Sequence, residues 1–164
     1  MIRTVFYALL CSLLLSLPAS ADNFFTSKNY WNGKTAYDSG DFEKAMRLWK
    51  APAEQGVGEA QGFVGALYHG GLGVEKDYKQ AMEWYVKAAN KGIAQAQLGI
   101  GSMYGDGHGV EKDMVTARMW FAIADHYGNE RAQHYIKKAD LLLTEEDIRK
   151  AGEMARDWIK AHEK

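Results

Sequence analysis

Tyr68-His69-Gly70-Gly71-Leu72-Gly73-Val74-Glu75-Lys76-Asp77 is answered 36 residues later by Tyr104-Gly105-Asp106-Gly107-His108-Gly109-Val110-Glu111-Lys112-Asp113. Around this core the same spacing pairs Ala81 with Ala117, Trp84 with Trp120, Ala88 with Ala124, Gly92 with Gly128, and Ala96-Gln97 with Ala132-Gln133. A fixed period of this size marks a stacked-repeat protein, in which each unit buries its apolar face only against its neighbours.

The unit reads as helix, glycine loop, helix. Ala81, Trp84, Tyr85, Ala88 and Ala89 share one helical face, and Ala117, Trp120, Phe121 and Ala124 repeat it. Asp77 and Asp113 stand where an N-cap is wanted, their short carboxylates accepting from unpaired amides. Gly92 and Gly128 stand just past the helix ends, where a positive φ is favoured. The loop glycines, from Gly70 to Gly73 and from Gly105 to Gly109, are expected to turn with positive φ, with Val74 and Val110 pinning each loop to the core. A third copy comes earlier: Ala45, Gly56 and Ala60-Gln61 fall one period before Ala81, Gly92 and Ala96-Gln97. Its loop, Tyr37 to Asp41, is shorter, and Asp41 is expected to cap a helix from Phe42 to about Gln55. A degenerate unit follows. Its first helix is expected over 129–143, with Tyr135, Ile136, Ala139 and Leu142 on one side. Thr144-Glu145-Glu146-Asp147 then resembles a capping box opening a last helix with a stripe of Ile148, Ala151, Ala155, Trp158 and Ile159.

The N-terminus has the composition of a leader. Arg3 is the only charge before Asp22, 5–17 is nearly all apolar, and Ala19-Ser20-Ala21 offers small residues for cleavage after Ala21. The apolar run is short for a membrane span. Cys11 lies inside it and follows Leu10, which argues against lipidation. The expected organisation is a signal peptide over 1–21, helical repeats over 22–143 (about 30–57, 58–93, 94–129, then the helix of 129–143), and a capping helix over 144–164. The remainder after cleavage carries 19 basic and 21 acidic residues, a net charge of −2, and no cysteine. That leaves no thiol for a disulfide, nucleophile or metal, and no basic stripe for nucleic acid.

Ala60-Gln61, Gly65, Tyr68, Gly71-Leu72-Gly73-Val74, Asp77, Gln80-Ala81, Trp84-Tyr85, Lys87-Ala88-Ala89 and Gly92 resemble the Sel-1-like repeat, a longer-looped relative of the tetratricopeptide repeat. Gly101, Tyr104, Gly107, Gly109-Val110, Asp113, Ala117, Trp120-Phe121, Ala122 and Gly128 resemble it again. The unit from Tyr37 to Gln55 is closer to a tetratricopeptide repeat. The resemblance implies an all-α fold, a right-handed α/α solenoid of about four helix pairs whose first helices line a concave face. It also implies an adaptor, scaffold or regulator, in bacteria often exported to the periplasm or envelope. A cysteine-rich branch of the family is linked to β-lactam chemistry, which the cysteine-free remainder of this chain does not match.

No catalytic residue, cofactor site or metal site is expected. Ser27, Ser39 and Ser102 lack nucleophile contexts such as Ser-x-x-Lys or Gly-x-Ser-x-Gly. Ser102 is placed on a first helix, where a small residue lets helices pack or leaves room for a ligand; packing is the reading taken. His69, His108, His126 and His134 form no His-Glu-x-x-His pattern and read as solvated surface groups. The run Gly105 to Gly109 follows a helix, not a strand, so it is no phosphate loop. Trp49, Trp84, Trp120 and Trp158 stand at core spacing. Tyr30 and Trp31, with Phe24 and Phe25, either cap the stack or offer an aromatic anchor to a partner.

The concave face is expected to present Glu59, Gly62, Ala66 and His69, then Gln95, Leu98, Ser102 and Asp106, then Arg131, His134 and Lys138. Such a groove suits a protein or peptide partner. The expected role is therefore an exported, periplasmic or secreted, protein-binding adaptor. An immunity or inhibitor protein that neutralises an exported toxin or enzyme is a second reading. A β-lactam or cell-wall hydrolase is a third, and it lacks a nucleophile arrangement.

Overall fold

The computed structural model describes residues 19–163, with side chains from Lys28 onward. Nearly all of the expected leader, 1–18, lies outside the described residues, as do the Phe24 and Phe25 side chains. Ala19-Ser20-Ala21 open the first helix, so the unit expected from about residue 30 has a first helix that starts earlier. Eight helices follow one another among the described residues: α1 Ala19–Asp38, α2 Phe42–Glu54, α3 Gly58–Gly70, α4 Tyr78–Ala89, α5 Ala94–Asp106, α6 Met114–His126, α7 Ala132–Asp140 and α8 Glu145–His162. No described helix is long and apolar enough to cross a membrane.

Short polar side chains set the starts of the second helices. Asp41 accepts from the Lys44 amide at 3.1 Å, Asp77 from the Gln80 amide at 3.0 Å, and Asp113 from the Val115 and Thr116 amides at 2.9 and 3.1 Å. Each satisfies amides that the first turn leaves unpaired. The capping box at Thr144 and Asp147 opens α8. The long loops close on themselves. The Asp77 amide donates to the Tyr68 carbonyl at 3.0 Å, and the Asp113 amide to the Tyr104 carbonyl at 3.0 Å. Gly71, Gly73, Gly107 and Gly109 have positive φ. Gly70 and Gly105 do not: both stay helical, Gly70 as the last residue of α3 and Gly105 as the last but one of α5, because the left-handed turn falls one or two residues later.

Hairpins α1–α2, α3–α4 and α5–α6 stack in order, α2 on α3 and α4 on α5. The joints are tight. A Cβ on Gly73 would lie 2.5 Å from the Phe42 and Glu43 backbone, and one on Gly109 would lie 2.6 Å from Tyr78 Cβ. Each glycine loop therefore docks on the first turn of the preceding hairpin's second helix, which only a residue without a side chain permits. In the fourth pair, α7 and α8 both pack on α6.

The core runs through the stack as linked clusters. Trp49 is fully buried and stacks on Phe63 at 4.2 Å. Its indole nitrogen donates to the Tyr30 carbonyl at 2.9 Å, tying α2 to α1. Trp84 is buried, while Trp120 and Trp158 are half-buried and meet edge to face at 5.3 Å, so the last two tryptophans pack at the margin of the core rather than inside it. The helix expected over 129–143 is shorter. Asn129 folds into a turn, its side chain accepting from the Arg131 amide at 3.0 Å, and α7 begins at Ala132. Leu142, expected on the packed side, is 71% exposed; Leu143 packs in its place.

Candidate functional site

Two buried amides fix the first helices to the hairpin before them. Gln61 Nε2 donates to the Ala53 carbonyl at 3.0 Å, and Gln97 Nε2 to the Ala89 carbonyl at 3.2 Å. These carbonyls belong to the last turns of α2 and α4, which lack helical partners. The repeated Ala-Gln pair is therefore a clamp, a role the sequence periodicity marks but does not explain. At the next repeat the clamp loosens: Gln133 is exposed and donates to the Asp125 carboxylate at 2.7 Å.

The clamps tie α3 to α2 and α5 to α4, and two cavities open on the first-helix side of the stack. The first, of about 390 Å³, has walls of Tyr30 and Tyr37 from α1, Gly62, Phe63 and Ala66 from α3, and Ile93 before α5, with Glu59 and Gln95 as polar lining. Burial holds the Tyr30 hydroxyl proton more tightly than usual, and the negative charge of Glu59 adds to this. The second, of about 220 Å³, lies between α5, α6 and α7. Met114, Phe121, Ala139 and Leu142 give it an apolar lining, and Ser102, Asp106, Tyr135 and Lys138 supply polar atoms. Among the described residues neither Asp106 nor Lys138 makes an ion pair. Arg131 donates to the Tyr135 hydroxyl at 3.1 Å beside this cavity, and Gln95 accepts from Asn129 at 3.3 Å, joining the start of α5 to the turn before α7.

Of the residues expected on the concave face, Glu59, Gly62, Ala66 and Gln95 line the first cavity, and Ser102, Asp106 and Lys138 line the second. Ser102, read from sequence as a packing residue, is half-buried at the cavity wall. Arg131 and His134 are exposed on α7. Leu98 is not presented: it is 3% exposed and packs with Phe121 and Ala132, which cover that edge of the face. His69 lines neither cavity. It is half-buried, and its Nε2 lies 3.1 Å from His108 Nδ1. The reading of these two as solvated groups is thus corrected: the loop after α5 folds back over the end of α3. His126 and His134 are exposed as expected. The aromatic pair splits. Tyr30 packs against Phe63 and forms cavity wall, whereas Trp31 is 58% exposed and meets Tyr30 edge to face at 5.0 Å. Among the described residues no three His, Cys, Asp or Glu side chains converge to hold a metal.

Stacked helical hairpins with a cavity-bearing first-helix side define a class of protein built for contact with other proteins. The Sel1 repeat profile matches residues 24–57, 58–93 and 92–124, and the chain belongs to the Sel1 repeat family. Members of this family are generally protein–protein interaction modules and typically non-enzymatic scaffolds. No curated protein matches the chain. Similar solved structures include these two. One is c5321, a protective antigen present in uropathogenic Escherichia coli strains and displaying an SLR fold, with 28% identity and a TM-score of 0.79 over 87% of this chain and 32% of that one. The other is a Sel1 repeat protein from Oxalobacter formigenes, with 38% identity and a TM-score of 0.60 over 65% of this chain and 42% of that one. The chain thus spans less than half the length of either.

Proposed function

We propose that this chain is an exported adaptor or regulator that grips a segment of a partner protein along its first-helix side. The observation that carries the reading is the pair of cavities bounded by α1, α3, α5 and α7, each with an apolar lining and a few polar groups. A preformed groove lowers the ordering cost of binding. Unpaired Asp106 and Lys138, with Arg131 nearby, offer polar selection at one end, and Glu59 offers it at the other. Export is supported by the apolar run, by the small residues at Ala19-Ser20-Ala21, and by the similarity to a protein described as a protective antigen.

The reading is tested by placing a photo-crosslinking residue at Ala66 or Ser102 in cells, with Lys79 on α4 as the outward control. The expected result is one crosslinked partner from Ala66 and Ser102, lost when Lys138 and Arg131 are reversed to glutamate, and none from Lys79. Equal capture from all three positions would remove the groove from the account. N-terminal sequencing of the crosslinked product should begin at Asp22.

A further inference from the structure

We infer that His69 and His108 form a proton-sensitive clasp between the second and third hairpins, closed while one imidazole nitrogen accepts from the other and released when both rings are protonated. His69 Nε2 and His108 Nδ1 are 3.1 Å apart, bridging the end of α3 and the loop after α5. A hydrogen bond between two imidazoles needs one donor and one acceptor nitrogen. The pair keeps it when neutral or singly protonated. A second proton removes the acceptor and places two like charges at that separation.

The repeat supplies an internal control. In the preceding joint Tyr37, Phe42 and Leu72 stand for His69, Tyr78 and His108: Tyr37 meets Phe42 at 5.2 Å and Trp49 at 5.8 Å, as His69 meets Tyr78 at 5.6 Å and Tyr85 at 6.1 Å. There Leu72 packs against the apolar core. The same joint thus holds no imidazole in one copy and two in the next. Tyr78, in the place of Phe42, stacks on His108 at 4.6 Å with planes 6° apart, which fixes that ring. The clasp therefore sits on an ordered platform and not on a free loop.

Its surroundings do not neutralise a second charge. Burial disfavours protonated His69, and His108 and Lys76 add to this; Asp106 alone opposes them. From α4, Tyr78 and Tyr85 face His69 with ring centres 5.6 and 6.1 Å away, and burial holds the Tyr85 hydroxyl protonated. Lys76 reaches over the Tyr78 ring, and Lys79 lies beside Gly109. With Asp106 opposed by Lys76, the second charge of the acid form is left uncompensated. The fold favours neutral His69, so its contribution is complete above the ordinary imidazole value of 6.5 and is lost as the pH falls below it. No third His, Cys, Asp or Glu joins the pair among the described residues, so its chemistry is that of protons and not of a metal. The inference stands apart from the identity of any partner.

The test compares backbone hydrogen exchange in the two glycine loops of the full chain at pH 7.5 and pH 5, corrected for intrinsic exchange. Protection over 105–113 is expected to fall severalfold relative to 70–77. His108→Leu, which restores the residue type of the preceding joint, is expected to abolish that difference. An unchanged ratio in the wild-type chain, or the same fall in the variant, would overturn the clasp. Ring NMR of the wild-type chain gives a reading that does not depend on the variant folding. Two separate steps, the second below 6.5, support the clasp, whereas a single common step near 6.5 overturns it.

Discussion

The hairpins over 58–93 and 94–129 press an aromatic ring onto a bare backbone, and the last pair of helices does not. A Cβ on Gly65 would lie 2.7 Å from the Tyr85 ring, and one on Gly101 would lie 2.5 Å from the Phe121 ring. One period on from Gly101 stands Lys137, exposed on α7, and the place of the ring, eight residues past the helix cap, is taken by Gly152 on α8. Without the ring-on-glycine contact, α7 and α8 turn to α6. Arg118 and Asp140 pair across α6 and α7, and Met119 and Ile123 meet Ala151 and Ala155 of α8. The period therefore encodes a close-packing rule, and where that rule lapses the helices lean on a shared neighbour.

The sharpest way to break the contrast is Gly101→Ala against Lys137→Ala. The first is expected to cost about 2–3 kcal/mol because its Cβ would lie 2.5 Å from the Phe121 ring and 3.1 Å from the Ala117 carbonyl, and the second to stay within about 0.5 kcal/mol. Urea unfolding of both variants decides it, and equal effects would dissolve the distinction. A smaller difference is expected between Gln97→Ala and Gln133→Ala. Loss of the buried clamp removes one of the two bonds to the Ala89 carbonyl, which keeps the Gly92 amide at 2.9 Å, and costs about 1 kcal/mol, while the exposed amide costs little. Thermal unfolding of the two variants measures it.

The smallest effect is at the helix caps. Asp113→Ala should cost about 1 kcal/mol at neutral pH. Burial alone would raise the Asp113 proton affinity, but its bonds to the Thr116 hydroxyl and to the Thr116 and Val115 amides outweigh burial and lower it. The cap therefore contributes fully above 3.8 and is lost as the pH falls below that. The gap in unfolding free energy between this variant and the wild type should narrow as the pH falls below 3.8. Asp147, lowered by its bond to Thr144, adds to the same acid loss in both chains.

How much of this could be read in advance follows from the range of each interaction. Caps at Asp41, Asp77, Asp113 and Thr144 depend on three or four neighbouring residues, so the sequence displays them directly. The polar and small residues of the groove follow helical spacing and fall beside the cavities. Leu98 fails because it stands at the edge of the face that Gln95, Ser102 and Asp106 share, where Phe121 and Ala132 cover it, a contact that helical spacing within α5 does not register. Asn129 shortens α7 through one side-chain bond that a helical pattern does not register. The His69–His108 pair is 39 residues apart and the repeat is 36, so aligning the copies never sets the two rings opposite each other.

Gly73 and Gly109 dock in the same way on successive hairpins, and this makes the stack a ratchet with equal teeth. Whole periods can be spliced in or out with each new seam already complementary, whereas a partial insertion lands a side chain on backbone. The length of such a stack is thus adjustable only in steps of one hairpin, and its cavities change in number rather than by the stretching of those it has.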